Sequence, residues 1–197
     1  KATFQREERK DGFVYFQKYL VATVTNDAAS KIAATYNNPD SDIIMGYIEV
    51  EKLAEYGSIP IINGLTDYCH PCQVLADLMT IREYKGAIQG NKLTYIGDGN
   101  NMANSLIVGG IKMGMKVSIA CPKGYEPDSE IMKWAAQNGE FQCTEDILDA
   151  AKDADVLYTD VWASMGQEAE AAERKKIFVN YQINDKVMAV AKKDAMV

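Results

Sequence analysis

No excess of positive charge marks this chain. Its 197 residues carry 21 Lys plus Arg against 28 Asp plus Glu, a formal net charge of −7. No basic stripe stands out, which argues against a nucleic-acid surface, although helix ends can still hold anionic substrates locally. No apolar run approaches membrane-spanning length, and Lys1-Ala2-Thr3 does not begin a signal peptide. The expectation is a soluble, cytoplasmic protein with no membrane partner. No initiator Met is present, so we expect a processed or incomplete chain. No internal repeat is visible. Cysteine is sparse: Cys69 and Cys72 form the one Cys-x-x-Cys, while Cys121 and Cys143 stand singly near the ends of predicted strands. Without a second such pair, zinc or thiol-redox chemistry ranks behind four reduced, packed cysteines. Histidine is scarcest of all, with His70 alone.

What is there suits a soluble globular chain, at 47% hydrophobic and 25% charged. The length suffices for one domain or one and a fraction. From Ile59 onward strands and helices alternate. Ile59-Pro60-Ile61-Ile62 reads as a short buried strand. A helix is predicted over Gln73–Tyr84, where Val74, Leu75, Leu78 and Ile81 recur at helical spacing. Leu93–Ile96 is a strand, followed by Gly97-Asp98-Gly99-Asn100-Asn101 and a helix through Met113. Val117–Ala120 is a strand, Pro122–Asp128 a loop rich in turn residues, Glu130–Gln137 a helix and Phe141–Thr144 a strand. Ile147–Lys152 is a short helix, Asp155–Thr159 a strand, and Gln167–Phe178 a charged, exposed helix. The last residues, Asp194–Val197, resemble a strand just begun. Alternation with short loops implies an α/β fold, a mostly parallel sheet with helices on both faces. Ligands of such sheets bind beyond the C-terminal strand ends. The loops starting at Gly97, Cys121 and Asp160 leave from such ends and should line one crevice. Toward the front, Phe13–Phe16 and Tyr19–Val24 read as strands and Asp27–Tyr36 as a helix, with no motif.

Three loops carry chemistry-bearing residues. His70 sits at the apparent start of a helix, where free N–H groups and about half a positive charge attract phosphate or a polarised carbonyl. Pro71 suits the first helical turn, and Gln73 lies three residues on, near one face of the helix entrance. A capping histidine beside a polar glutamine accounts for the same residues. Gly97-Asp98-Gly99-Asn100-Asn101 has Met102 where a dinucleotide fingerprint wants its third glycine, and the next strand ends without an acidic residue, so a nucleotide reading is weak. Its amides either aim at a polar ligand or simply cap the helix through Asn100 or Asn101. In the loop from Asp160 to Glu168, Asp160 suits an ammonium group, while Ser164 and backbone groups suit a carboxylate. An amino-acid substrate needs both of its charges met on desolvation. Ser164 as a cap with Trp162 buried is the alternative.

Taken in order, these loops resemble the aspartate/ornithine carbamoyltransferase family, and within it the ornithine-specific branch. His70-Pro71-Cys72-Gln73 is similar to the family's His-Pro-Cys-Gln segment, and Val74 to Thr80 to the helix that follows it. Gly97 to Asn101 resembles the loop with an ornithine-binding Asn, carried onto Asn101. Asp160-Val161-Trp162-Ala163-Ser164-Met165-Gly166-Gln167-Glu168 resembles the ornithine loop, implying contacts from Asp160, Ser164 and Met165. The likeness runs from about Ile59 to Val197; residues 27 to 47 echo the family's first domain, and 1 to 26 do not. The family's Ser-Thr-Arg-Thr phosphate segment is absent from this chain. Tyr47 stands near the place of a carbonyl-binding Arg, and the sequence stops before the His-Cys-Leu-Pro segment.

The resemblance implies a Rossmann-like second domain with an incomplete or divergent first one. It divides the chain into a carbamoyl-phosphate side over 1–68, a linking helix over 69–86 and an ornithine-binding α/β domain over 87–197. It implies carbamoyl transfer from carbamoyl phosphate to the side-chain amine of L-ornithine, giving L-citrulline and phosphate in arginine metabolism. His70 and Gln73 would be catalytic, and His70, Pro71, Cys72 and Gln73 would hold carbamoyl phosphate. No metal or organic cofactor is implied, and the assembly would be a homotrimer. Two other readings remain: a catalytically inactive amino-acid-binding or scaffold module derived from such an enzyme, and a Cys69/Cys72 zinc or redox protein.

Overall fold

A computed structural model describes residues 14–16, 19–22, 47–56, 61–162 and 171–197. The chain divides into two compact units, Lys1–Cys72 and Gln73–Val197.

In the first unit, strands β1 (Val14–Phe16) and β2 (Tyr19–Ala22) pair antiparallel, Tyr15 opposite Leu20 and Phe16 opposite Tyr19. These are the two strands expected at the front. Helix α1 spans Tyr47–Tyr56, and the helix expected over Asp27–Tyr36 lies outside the described residues. The strand expected at Ile59–Ile62 does not form at Ile61 and Ile62, and Ile62 is 70% exposed; residues 59 and 60 lie outside the described residues. A strand persists only with a partner ladder, and no described strand pairs with this segment. A tight turn follows. The Thr66 N–H donates to the Cys69 carbonyl at 2.9 Å, and the Cys69 N–H donates to Thr66 Oγ1 at 3.2 Å. Thr66 is wholly buried.

Helix α2 (Pro71–Lys85) starts on proline, the residue whose missing N–H costs nothing in a first turn. Val74, Leu78 and Ile81 are buried, and Leu75 is not. One residue further round turns a side chain by about 100°, which takes Leu75 off the apolar stripe.

The second unit alternates as expected. After α2 come β3 (Lys92–Ile96), α3 (Asn101–Lys112), β4 (Lys116–Ala120), α4 (Ser129–Asn138), β5 (Phe141–Thr144), α5 (Ile147–Ala151), β6 (Val156–Tyr158), α6 (Ala171–Phe178) and α7 (Asp185–Val190). The sheet is parallel in the order β5-β4-β3-β6, with Leu93 opposite both Val117 and Val156. Met196 forms a parallel bridge to Val156, the start of the strand expected at the chain's last residues.

Alternation along β3 explains why both sheet faces are covered. Leu93 and Tyr95 join a core with Val74, Leu78, Leu106, Ile107, Val117 and Ile119, beneath α2, α3 and α4. Ile96 points the other way, into a smaller core with Ala150, Ala151, Leu157 and Val187 under α5 and α7. Glycine permits a close approach of α3 to α2: a Cβ on Gly109 would stand 2.7 Å from Val74 Cγ2. The sheet therefore presents two ends, with its C-terminal edge formed by the loops after Ile96, Ala120 and Tyr158.

Candidate functional site

Those three loops are tied together. Cap chemistry sets the first: Asn100 Oδ1 accepts from the N–H groups of Met102 and Ala103, at 2.9 and 3.2 Å. Asn100, not Asn101, is therefore the N-cap of α3, and Asn101 is its first helical residue, half-buried. The other atom of the Asn100 amide, Nδ2, reaches Asp160 Oδ2 at 3.4 Å, joining the loop after β3 to the loop after β6. Thr159 Oγ1 donates to the Ile96 carbonyl at 2.8 Å, a second tie between them.

The middle loop packs on the first through a residue that must be glycine. The Gly99 N–H donates to the Tyr125 carbonyl at 2.8 Å, and a Cβ there would lie 2.3 Å from the Pro127 backbone nitrogen. No side chain fits that approach.

A buried ion pair completes the arrangement. Arg174 of α6 pairs with Asp98 and donates through Nε to the Trp162 carbonyl. Its guanidinium lies 5.0 Å from the Tyr125 ring centre and 5.3 Å from that of Phe178, so one cation touches all three loops or their supports. Burial raises the Asp98 carboxyl above its ordinary range, Arg174 opposes that rise, and Asp160 adds to it. The helix expected to be charged and exposed, Gln167–Phe178, is so at Ala171, Ala172, Glu173, Lys175 and Lys176, and departs from that at the buried Arg174 and Phe178. It is described from Ala171, and its Arg174 is 6% exposed because its charge is matched inside the fold.

Two tyrosines floor this edge. Tyr95 is wholly buried and its hydroxyl has no hydrogen-bond partner among the described residues. Burial pushes its phenol well up, and the Asp160 and Asp98 carboxylates push the same way. Tyr158 lies 6.1 Å from Tyr95 ring to ring, nearly stacked. Its phenol is raised by burial first and then by Asp77 and Asp160, with a Gln73 hydrogen bond opposing. Gln73 itself donates through Nε2 to Asp77 Oδ1 at 2.9 Å. The N-terminal turn of α2 is thereby brought to the end of β6.

The residues expected from sequence fall as follows. Gln73 and Asp160 both border Tyr158, and Asn101 stands at the mouth of α3 with its carbonyl accepting from Ser105 Oγ at 2.7 Å. Asp160 is half-buried and its Oδ1 accepts from the Val161 N–H at 2.7 Å. His70, Pro71 and Cys72 close the first unit, where His70 is half-buried and Cys72 Sγ donates to the Asn63 carbonyl at 3.3 Å. Ser164 and Met165 lie outside the described residues. Sequence reasoning missed Arg174, Tyr95 and Tyr158. Arg174 looked like one charge among many, and only Asp98 in the preceding glycine loop hinted at a buried cation. A cavity of about 830 Å³ opens at the opposite edge of the sheet, lined by Lys92, Lys116, Ser118, Gln142, Asp149 and Asp155 among others. Among the described residues no group of three or more His, Cys, Asp or Glu could hold a metal ion, and no helix is long and apolar enough to cross a membrane.

A parallel sheet whose C-terminal loops are locked by caps and one buried charge pair defines an α/β ligand-binding domain. The family model of the aspartate/ornithine carbamoyltransferase Asp/Orn binding domain matches residues 89–197, and that of the carbamoyl-P binding domain matches residues 7–83. The chain belongs to the aspartate/ornithine carbamoyltransferase family. The second match begins at residue 7, which corrects the expectation that residues 1 to 26 bear no likeness to the family's first domain. Among curated relatives, ornithine carbamoyltransferase of Thermococcus kodakarensis is 55% identical over 156 residues, 77% of this chain and 50% of that protein. The Pyrococcus abyssi ornithine carbamoyltransferase is 57% identical over 153 residues, covering 75% and 48%. The solved Pyrococcus furiosus ornithine carbamoyltransferase superposes with a TM-score of 0.73 at 55% identity, covering 77% of this chain and 50% of that one. The chain spans about half the length of the curated relatives it matches.

Proposed function

We propose that this chain transfers the carbamoyl group of carbamoyl phosphate to the side-chain amine of L-ornithine, giving L-citrulline and phosphate. The observation that carries the reading is the locked C-terminal edge: Asn100 holding Asp160, and Arg174 holding Asp98 and Trp162. The Asp160 carboxylate lies beside the N-cap of α3, which supports a site for an amino acid, whose ammonium and carboxylate groups need complements of those two kinds. The names of the similar proteins supply the particular substrates.

In this reading the division of labour follows the loops. Residues 1–68 serve the carbamoyl-phosphate side, 69–86 link, and 87–197 bind ornithine through Asn101, Asp160, Ser164 and Met165. Carbamoyl phosphate is held by His70, Pro71, Cys72 and Gln73 at the start of α2. The attacking amine must be neutral, so binding has to lower its pKa or take its proton. As it attacks, the carbonyl oxygen gains negative charge, and His70 donates a hydrogen bond there while Gln73 accepts from the carbamoyl amide. Proximity supplies much of the remainder, because two substrates are held together. The enzyme works in the cytoplasm, in arginine metabolism, as a homotrimer.

A citrulline assay on the wild-type chain and on His70→Ala tests the proposal. Loss of one donor to a developing oxyanion costs about 3 kcal/mol, roughly a hundredfold or more in rate. Equal turnover by the two proteins removes His70 from the mechanism. Ornithine binding with no citrulline from either protein identifies an inactive module.

A further inference from the structure

Two thiols outside the proposed substrate groups lie within reach of each other. Cys121 is the first residue past β4, Cys143 belongs to β5, and their Sγ atoms stand 3.8 Å apart. Strand register places Ile119 opposite Cys143, so Cys121, two residues beyond Ile119, projects from the same face. The Cys121 N–H donates to the Thr144 carbonyl at 3.1 Å, which holds the end of β4 beside β5. The two sulfurs differ in setting: Cys121 is buried, at 2% exposure, and Cys143 is partly open to solvent. The hydrogen bond between them favours the thiolate on Cys143, and it joins burial in disfavouring the thiolate on Cys121.

We propose that Cys121 and Cys143 are an oxidant-sensitive thiol pair that closes to a disulfide on reaction with a hydroperoxide. The outer sulfur reacts first. The Cys143 thiolate attacks one peroxide oxygen, the O–O bond breaks, and hydroxide (or alkoxide) leaves as Cys143 becomes a sulfenic acid. Cys121 then attacks the Cys143 sulfur, the S–O bond breaks, and the departing hydroxide takes the Cys121 proton as water. Two thiols are oxidised and one peroxide is reduced. Closing the gap from 3.8 Å to the ~2.05 Å of an S–S bond calls for movement of one side chain toward the other. Cys121 supplies it more readily, because it lies past the last residue of its strand while Cys143 is held within one. The bond would tether the start of the Pro122–Asp128 loop, whose Tyr125 carbonyl braces Gly99. The Cys-x-x-Cys sulfurs are occupied differently. Cys69 Sγ accepts from Asn63 Nδ2 and Cys72 Sγ donates to the Asn63 carbonyl, both at 3.3 Å.

Peroxide treatment of the full chain, followed by alkylation, digestion and mass spectrometry, tests the pairing. We expect loss of two of the four thiols, a Cys121–Cys143 cross-linked peptide, and full recovery with dithiothreitol. A Cys69→Ser/Cys72→Ser chain, altered only outside the pair, should lose both its thiols and give the same cross-link. Cys143→Ser should abolish that cross-link. A Cys69–Cys72 disulfide forming first in the wild type overturns the proposal. So does sulfinic acid at Cys143 with no cross-link in the Cys69→Ser/Cys72→Ser chain.

Discussion

The two ends of the parallel sheet are built on opposite plans. At the N-terminal edge the fold leaves a cavity of about 830 Å³, ringed by lysines and carboxylates that largely satisfy one another. Lys116 pairs with Glu140 at 2.9 Å and Lys192 with Asp155 at 2.8 Å, and Gln142 donates to Asp149. Lys92 donates to the Lys152 carbonyl at 2.7 Å, and burial lowers its ammonium pKa against the pull of Asp149 and Asp153. The C-terminal edge is held together instead. Loops there are drawn into contact by a buried ion pair, an asparagine cap shared with a carboxylate, and a glycine that backbone presses against. This cavity is thus no guide to the candidate site, because Gln73, Asn101 and Asp160 are not among the residues that line it. Strand polarity aims helix N-termini and unsatisfied groups at one end, whereas the cavity marks where paired surface charges leave a gap.

That contrast can be broken by substitution, and the largest effect should come from Arg174. Arg174→Met leaves the Asp98 charge buried without its partner, at side-chain exposures of 7% and 12% for the pair. The expected loss is about 3–5 kcal/mol in denaturant unfolding. Adding Asp98→Asn should recover part of it, since the uncompensated charge is gone. A loss below about 1 kcal/mol would reduce the pair to a surface contact.

Next comes Gly99→Ala, whose Cβ meets backbone rather than a pliable side chain. Overpacking of this kind costs about 1–3 kcal/mol, and ornithine affinity should fall with it. Unchanged melting and unchanged affinity would show the loop contact to be dispensable. Asn100→Ala removes the acceptor for two helix N–H groups and should cost about 1 kcal/mol. Lys116→Ala at the cavity edge is the smallest, because the Lys116–Glu140 pair is half-exposed or more on both sides, and it should cost below about 1 kcal/mol.

Asp98 also gives a pH signature of fixed sign. Its folded pKa lies above the ordinary 3.8, with burial as the first cause. The unfolded chain therefore ionises first, so this residue's contribution to stability declines as pH climbs from 3.8 to the folded value and is level on either side. Arg174→Met should extend that window upward. Carboxyl carbon shifts of Asp98 followed through an acid titration check this, and a wild-type midpoint at or below the ordinary value would contradict it.

Much of the second unit was legible in the sequence, because its signals are local. Val74, Leu78 and Ile81 mark a helix by spacing alone, and the strand residues Leu93–Ile96 and Val117–Ala120 are short apolar runs bounded by glycine or cysteine. Even the start of a strand at Met196 could be read. What could not be read depends on partners distant in sequence. Ile61-Ile62 has the composition of a strand, yet composition does not say whether a neighbouring ladder exists. Arg174 has a surface residue's chemistry and a core residue's position, and only Asp98, 76 residues away in sequence, makes the two compatible. The cap illustrates a finer ambiguity: either Asn100 or Asn101 suited the role, and backbone geometry assigned it to Asn100. The family resemblance rested on loops, and those loops are where cap and turn chemistry leaves its clearest marks.

Chemical-shift mapping of the labelled chain during titration with L-ornithine tests the central claim most directly. Shifts are expected at Gly97–Asn101, the first turn of α3 and Tyr158–Met165, with Ser118, Gly139, Gln142 and Lys152 unmoved. Perturbation centred on those cavity residues, with the C-terminal loops silent, would contradict it.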